Sequence, residues 1–150
     1  MRANARRIRA ADTVDVFVVD SLQLMRGSGR QEPRAQEVSD ISAGLQGLAR
    51  ELDVPVLAIS QLNRESEGRT DRRPQLSDVR DSGSIEQDSD IVMFLSRPGM
   101  HEEGKDPAVT ELGTAKNRSG PVRRLALSFN AGQTALRDLD GHQQAGPEEG

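Results

Sequence analysis

Asp20 is the residue with the clearest chemical potential in this sequence. It ends the apolar run VDVFVVD at residues 14–20, and apolar–polar alternation resumes after it. An acid at the end of a buried parallel strand is how nucleotide-hydrolysing sheets hold magnesium beside a triphosphate. The pattern therefore predicts a nucleotide site in which Asp20 is the metal ligand.

Gln61 occupies an equivalent place in the chain. It follows a second apolar run, VPVLAIS, at residues 54–60. Parallel strands of one sheet end at the same edge, and open α/β sheets bind their ligands at that edge. A neutral amide there can hydrogen-bond a γ-phosphate and respond to its loss on hydrolysis. Asp20 and Gln61 are therefore predicted to share one edge of a sheet.

Lys116 and Arg118 are two positions apart near the end of a predicted strand. On a strand, this spacing directs both side chains to one face. A rigid strand that presents two cations can reach a triphosphate in a neighbouring subunit, where an arginine supplied in trans contributes about 10³–10⁵ in rate. A basic hairpin tip in solvent is the alternative, and spacing alone leaves it open.

Arg80, Asp81, Gly83 and Ser84 lead into a predicted short helix. Ser84 and Gln87 have the spacing of a capping box, which predicts a helix start near Gly83. Free backbone N–H groups at a helix start, beside a glycine that permits close approach, suit a phosphate of single-stranded DNA. A capped surface turn is the alternative for this segment.

The sequence has no usable phosphate-binding loop. Gly99, Gly104 and Lys105 have the spacing G-x-x-x-x-G-K, but Asp106 replaces the hydroxyl that would contact magnesium. Pro107 also discourages the helix that such a loop must precede. We interpret this match as chance, so the predicted nucleotide site lacks its phosphate cradle.

The elements that position these residues have an α/β pattern. Strand, amphipathic helix and strand follow one another between residues 14 and 60, which predicts a parallel crossover. The other predicted elements are a helix at residues 2–11, a strand at 90–96, and a late hairpin of residues 109–116 and 122–130. The helix at residues 2–11 has few apolar anchors, so the chain is expected to start partway through a domain. Residues 140–150 are expected to be a disordered tail.

Composition excludes several classes of function. The 150 residues include no cysteine, so disulfides and thiolate metal sites are excluded. No apolar segment reaches membrane-spanning length, so a cytoplasmic protein without a membrane partner is expected. The net charge of −4 gives no global argument for nucleic-acid binding, and any DNA contact must come from local basic clusters.

Together these segments resemble the C-terminal half of a bacterial DnaB-type replicative DNA helicase, a ring-forming ATPase with a RecA-like core. The resemblance covers about 130 residues in the family's order, and residues 75–90 are its most specific part. The matching stretches are ANARRIRA, VVDSLQLM, LARELDVPVLAISQLNR, RPQLSDVRDSGSIEQDSDIVMFLSRP and AKNRSGP. The implied fold is a partial RecA-like domain at residues 1–139, with a mostly parallel central sheet, flanking helices and the late hairpin.

The resemblance also implies roles for the nucleotide-site residues. Asp20 matches the Walker B aspartate that acts on magnesium, and Gln61 matches the γ-phosphate sensor. Lys116 and Arg118 match the pair that the family inserts into the nucleotide site of the adjacent subunit. ATP and Mg²⁺ are the implied cofactors.

The segment around Arg80, Asp81 and Gly83 matches the family's loop that holds the DNA backbone in the ring channel. The implied partners are single-stranded DNA and the other subunits of a homo-hexamer, with primase and a helicase loader bound through regions that this chain lacks. The implied activity is duplex unwinding by ATP-driven translocation along one strand.

Departures from the family leave other interpretations open. The family's phosphate-binding loop and catalytic glutamate precede the Walker B strand, in sequence that this chain lacks, so the chain alone is expected to be inactive. The main alternative is a non-catalytic fragment that docks onto intact helicase subunits, or a gene remnant. Another RecA-like ATPase, such as a recombinase, fits the stretch DVRDSGSIEQDSD less well.

Overall fold

The computed structural model describes residues 2–26, 33–63, 69, 73–79 and 82–139. The described residues form two compact units, which comprise residues of 1–63 and 79–89, and residues of 64–78 and 90–139. The first unit contains α1 (Arg2–Ala11), β1 (Phe17–Asp20), α2 (Arg34–Leu52), β2 (Val56–Ile59) and α3 (Ser82–Asp88). The second contains β3 (Ile91–Ser96), β4 (Val109–Asn117), β5 (Arg124–Asn130) and β6 (Ala135–Asp138). Short 3-10 turns occur at Leu22–Leu24, Leu76–Asp78 and Pro98–Met100.

Helix α2 organises the core of the first unit. Val38, Ile41, Leu45 and Leu48 lie on one stripe of the helix and are each at most 7% exposed. This spacing turns one face of the helix inward, and each buried side chain contributes roughly 1.5–3 kcal/mol. The helix contacts α1, β2, α3 and the turn at Leu22–Leu24. The predicted amphipathic helix is confirmed.

The end of α2 directs the chain into β2. Asp53 adopts a left-handed conformation with φ 51°, which an aspartate tolerates better than most residues. The amide of Val54 then donates to the carbonyl of Ala49 at 3.2 Å. One turn earlier, Glu51 accepts hydrogen bonds of 2.5 and 2.9 Å from Arg6 of α1, and this contact raises the pKa of Arg6.

Strands β1 and β2 pair in parallel, as the strand–helix–strand pattern predicts. Phe17 is opposite Val56, and Asp20 is opposite Ile59. The strands are shorter than the apolar runs because only four residues on each strand are paired. A continuous apolar run predicts burial on both faces, and that expectation is wrong. Val18 is 59% exposed, because α2 packs on one side of the pair and Val18 is on the other.

The second unit is an antiparallel sheet with the strand order β3-β4-β5-β6. The register moves by one residue between Val92 and Met93, so Ala115 on β4 forms a bulge. The α/β class is confirmed, but the expectation of a mostly parallel sheet is too broad. Parallel pairing is limited to β1 and β2, whereas the late strands follow one another through short connections that favour antiparallel neighbours. Strand β6 was not predicted.

Two further expectations concern helix starts and the C-terminal tail. Ser84 lies inside α3 rather than at its N-cap, so the predicted capping box is wrong. The hydroxyl of Ser84 instead accepts a 2.9 Å hydrogen bond from Ser39 of α2. Residues 140–150 lie outside the described residues. In the described part of the chain, no helix is long and apolar enough to cross a membrane.

Gly44 provides a direct test of the α2 packing. A Cβ built at this position meets no atom within 4 Å, so alanine fits without a clash. We expect Gly44→Ala to raise the free energy of unfolding by about 0.5–1 kcal/mol, because alanine has the higher helix propensity. Urea denaturation followed by circular dichroism measures this change. A variant less stable than wild type would show that α2 is more tightly packed at Gly44 than the structure indicates.

Candidate functional site

Asp20 and Gln61 lie at the same edge of the β1–β2 pair. Asp20 is the last residue of β1 and is opposite Ile59, and Gln61 follows Ile59 by two positions. Both residues are exposed. The structure thus brings together the two residues that the sequence predicts for a nucleotide edge, and their functional roles remain predictions.

The donor atoms at this edge suit a hard cation. The Asp20 carboxylate and the Gln61 amide present oxygen atoms, and Mg²⁺ in proteins is held by one or two carboxylates together with substrate phosphates. Within the described ranges, no group of three or more His, Cys, Asp or Glu side chains could hold a metal ion. The arrangement therefore fits a metal that shares its coordination with a bound polyphosphate, rather than an all-protein cage.

Two further residues connect the segments that follow β1 and β2. The Nε2 of Gln23 donates a 2.9 Å hydrogen bond to the hydroxyl of Ser60, which directly precedes Gln61. The Ser60 hydroxyl in turn contacts the carbonyl of Gln61 at 3.4 Å. This pair was not predicted, because a contact between residues 37 positions apart follows only from the strand register.

Arg34 fixes the backbone of the segment after Asp20. Its guanidinium donates to the carbonyls of Leu22, Gln23 and Met25 at 3.3, 3.0 and 3.1 Å, respectively. It also forms an ion pair with Glu37, one turn further along α2. Leu22 itself is 3% exposed, so the turn is anchored by apolar burial as well as by these hydrogen bonds.

The predicted DNA-binding residues are only partly described. Arg80 and Asp81 lie outside the described residues. Gly83 is exposed in the first turn of α3, and a Cβ built on it meets nothing within 4 Å, so its backbone is open to close approach. Ser84 is half-buried and hydrogen-bonded to Ser39, which makes it the weaker candidate for DNA contact.

Lys116 and Arg118 are at the end of β4 in the second unit. Lys116 pairs with Val92 of β3, next to the bulge at Ala115. Arg118 lies one residue beyond the strand, where its amide donates to the carbonyl of Asp90 at 2.9 Å and extends the ladder. Its guanidinium forms a 2.7 Å ion pair with the Asp90 carboxylate.

The turn after β4 is stabilised by Asn117. Its Oδ1 accepts from the amide of Ser119 at 3.3 Å, and its Nδ2 donates to the carbonyl of Pro121 at 3.2 Å. A Cβ at Gly120 would lie 2.8 Å from that Nδ2, so glycine permits the close approach. An asparagine with its own backbone contacts is typical of such turns. This turn fixes the backbone on both sides of Arg118.

The rejected phosphate-loop match has a geometry of its own. Lys105 forms a 2.6 Å ion pair with Glu102. A Cβ at Gly99 would lie 2.4 Å from the carbonyl oxygen of Asp106, so this glycine is needed for local packing. These contacts form a compact turn whose lysine is already neutralised, which agrees with the interpretation of the match as chance.

Comparison with known proteins places this site in a family. The model of the DnaB-like helicase C-terminal domain matches residues 1–138. The replicative DNA helicase DnaB of Geobacillus stearothermophilus is 50% identical over 131 residues, which cover 86% of this chain and 29% of that protein. The replicative DNA helicase DnaC of Bacillus subtilis (strain 168) is 48% identical over 131 residues, with the same two coverages. The chain thus spans about 29% of the length of these relatives.

Solved structures agree with the sequence relatives. A DnaB-like replicative helicase, described with its interactions with primase, matches with a TM-score of 0.87 and 37% identity over 93% of this chain and 34% of its own. A second solved structure, an isolated ATPase domain, matches with a TM-score of 0.87 and 36% identity, covering 93% of this chain and 50% of that domain. The predicted resemblance is confirmed, and the chain belongs to the DnaB-like helicase C-terminal domain family.

Proposed function

We propose that this chain forms the distal part of the ATPase domain of a replicative DNA helicase. Such an enzyme unwinds duplex DNA by ATP-driven translocation along one strand. The observation that carries the proposal is the placement of Asp20 and Gln61 at one edge of a parallel strand pair, in a member of a helicase family. Residues 1–139 would supply this part, with 140–150 as a disordered tail.

The first unit would contribute one side of the nucleotide site. Asp20 would hold the magnesium ion, which neutralises phosphate charge when bound. The Gln61 amide would donate a hydrogen bond to the γ-phosphate and lose it after hydrolysis. A phosphate cradle must come from the upstream part of the domain, so the isolated chain is proposed to be inactive in ATP hydrolysis.

The second unit would act on the nucleotide of an adjacent subunit through Lys116 and Arg118. Arg118 is already paired with Asp90, but the two side chains are 49% and 69% exposed. Exposed pairs of this kind contribute about 0–1 kcal/mol. A triphosphate carries more negative charge than one carboxylate, so it would displace Asp90 from Arg118 at little cost.

DNA binding would involve the start of α3. Gly83 leaves its backbone accessible for close approach of a phosphate. Roles for Arg80 and Asp81 in holding the strand rest on the family resemblance. The proposed partners are single-stranded DNA and the other subunits of a hexameric ring, with primase and a loader bound through other parts of the full enzyme. The proposed location is the cytoplasm, where replication proteins of bacteria meet their DNA.

Docking onto intact helicase subunits is the second candidate function. The observation that favours it is the apolar side of the β1–β2 pair, where Val18, Leu57 and Ile59 are 59%, 47% and 43% exposed. Apolar side chains grouped on one surface mark interaction sites more often than isolated ones do. In this role the chain would bind a helicase without contributing to catalysis.

A chimeric helicase tests the main proposal. The chain replaces the matching 131 residues of the Geobacillus stearothermophilus relative, and ATP turnover is measured with single-stranded DNA. We expect an active chimera, and we expect Arg118→Ala to lower its turnover by about 10³-fold or more while nucleotide affinity stays nearly unchanged. Affinity is measured with a fluorescent ATP analogue.

Arg137→Ala is the matched control, because Arg137 is an exposed arginine of the same unit that contacts Gln133. It should turn over ATP like the unmodified chimera. A chimera that assembles but does not hydrolyse ATP would contradict the proposal. If the isolated chain then inhibited the intact relative, docking would become the better account.

Gly83→Ala tests the DNA role of α3 in the same chimera. The added methyl group clashes with nothing in the chain, but it would obstruct a phosphate that approaches the backbone. We expect single-stranded DNA affinity to fall about tenfold at low salt, because backbone contacts to phosphate position the strand. Fluorescence anisotropy measures the affinity, with Gly44→Ala as a helical control. Equal affinities for both variants would count against contact at Gly83.

A further inference from the structure

We propose that Gln23 and Ser60 form a positioning link between the metal side and the sensor side of the nucleotide edge. The inference rests on the proposed function, because it assumes that Asp20 and Gln61 act on one nucleotide. The link is the hydrogen bond from Gln23 Nε2 to Ser60 Oγ, at 2.9 Å. Neither residue would touch ATP.

The link lies where the sheet stops constraining the chain. The last paired residues of the two strands are Asp20 and Ile59. Beyond them, the segments that contain Gln23 and Gln61 have left the ladder, and each would move independently if nothing joined them. The Gln23–Ser60 bond joins them across the edge, one residue before Gln61.

Each end of the link is held in turn. On the metal side, Arg34 donates to the Gln23 carbonyl at 3.0 Å and to two neighbouring carbonyls, so the turn that contains Gln23 is fixed to α2. On the sensor side, the Ser60 hydroxyl also contacts the Gln61 carbonyl at 3.4 Å. A continuous series of polar contacts therefore runs from Arg34 to the backbone of Gln61.

The amide of Gln23 is not well explained by stability alone. Its Oε1 is buried and has no hydrogen-bond partner among the described residues. Leaving a buried acceptor unsatisfied usually costs more than one neutral hydrogen bond contributes. An apolar side chain would avoid that cost but could not bond to Ser60. The polar contact itself is thus the physical reason for an amide at this position.

The link has a specific consequence for catalysis. Asp20 and Gln61 must be correctly spaced only when the phosphate reacts, and misplacement by about 1 Å can cost about 10²-fold in rate. Loss of the link should therefore lower the turnover number and change substrate binding little. A residue that only stabilised the fold would instead lower the amount of active enzyme.

The active chimera described above provides the kinetic test. For Gln23→Ala and for Ser60→Ala, we expect kcat to fall about 10- to 100-fold with KM within about twofold of the parent. The double variant should be no slower than the slower single variant, because both remove one bond. Ser60→Thr keeps the hydroxyl and should restore most of the activity. Gln36→Ala is the control, since it removes an exposed glutamine contact to Asp40 on α2.

Amide hydrogen exchange in the 150-residue chain tests the link without catalysis. Gln23→Ala should accelerate exchange at residues 60–63, while Gln36→Ala leaves these rates unchanged and both variants keep the global unfolding free energy of the parent. Unchanged exchange at residues 60–63, an unchanged kcat, or additive effects in the double variant would overturn the link. An inactive parent chimera would instead contradict the proposed function, and the exchange rates would still decide whether the link exists.

Discussion

The parallel register of β1 and β2 is the constraint on which the candidate site depends. Parallel strands need a long crossover, and the 19-residue helix α2 provides it. The register sets Asp20 opposite Ile59, which brings Gln61 to the same edge. A slip of one residue would turn Asp20 and the apolar residues of β1 to opposite faces. The buried stripe of α2 thus supports the geometry of the site as well as the stability of the unit.

Residue types and periodicity were sufficient to predict the edge and the family. Apolar runs that end in Asp20 and before Gln61 define parallel strands, and the 3.6-residue period defines α2. Side-chain partners were not predictable. The contacts of Gln23 with Ser60, and of Arg118 with Asp90, join residues far apart in sequence, and only the register brings them together. The exposed face of β1 was also missed, because an apolar run does not show whether one face or both are covered.

The proposed catalytic residues are divided between the two units of the chain. Asp20 and Gln61 belong to the first unit, and Lys116 and Arg118 belong to the second. In the proposed ring, the first pair serves the nucleotide of its own subunit and the second pair serves the nucleotide of a neighbour. The bulge at Ala115 and the turn around Asn117 then have a common effect, since both fix the backbone near the cations. Their placement matters to catalysis only when subunits assemble.

ATP turnover by mixed rings tests this division most directly. Chimeras that carry Asp20→Asn are co-expressed with chimeras that carry Arg118→Ala, and the purified mixed rings are assayed with single-stranded DNA. Some subunit interfaces then combine an intact Asp20 edge with an intact Arg118, so the account predicts turnover well above that of either variant alone. Turnover no higher than the average of the two inactive variants would contradict it, because it would mean that Asp20 and Arg118 must act from the same subunit.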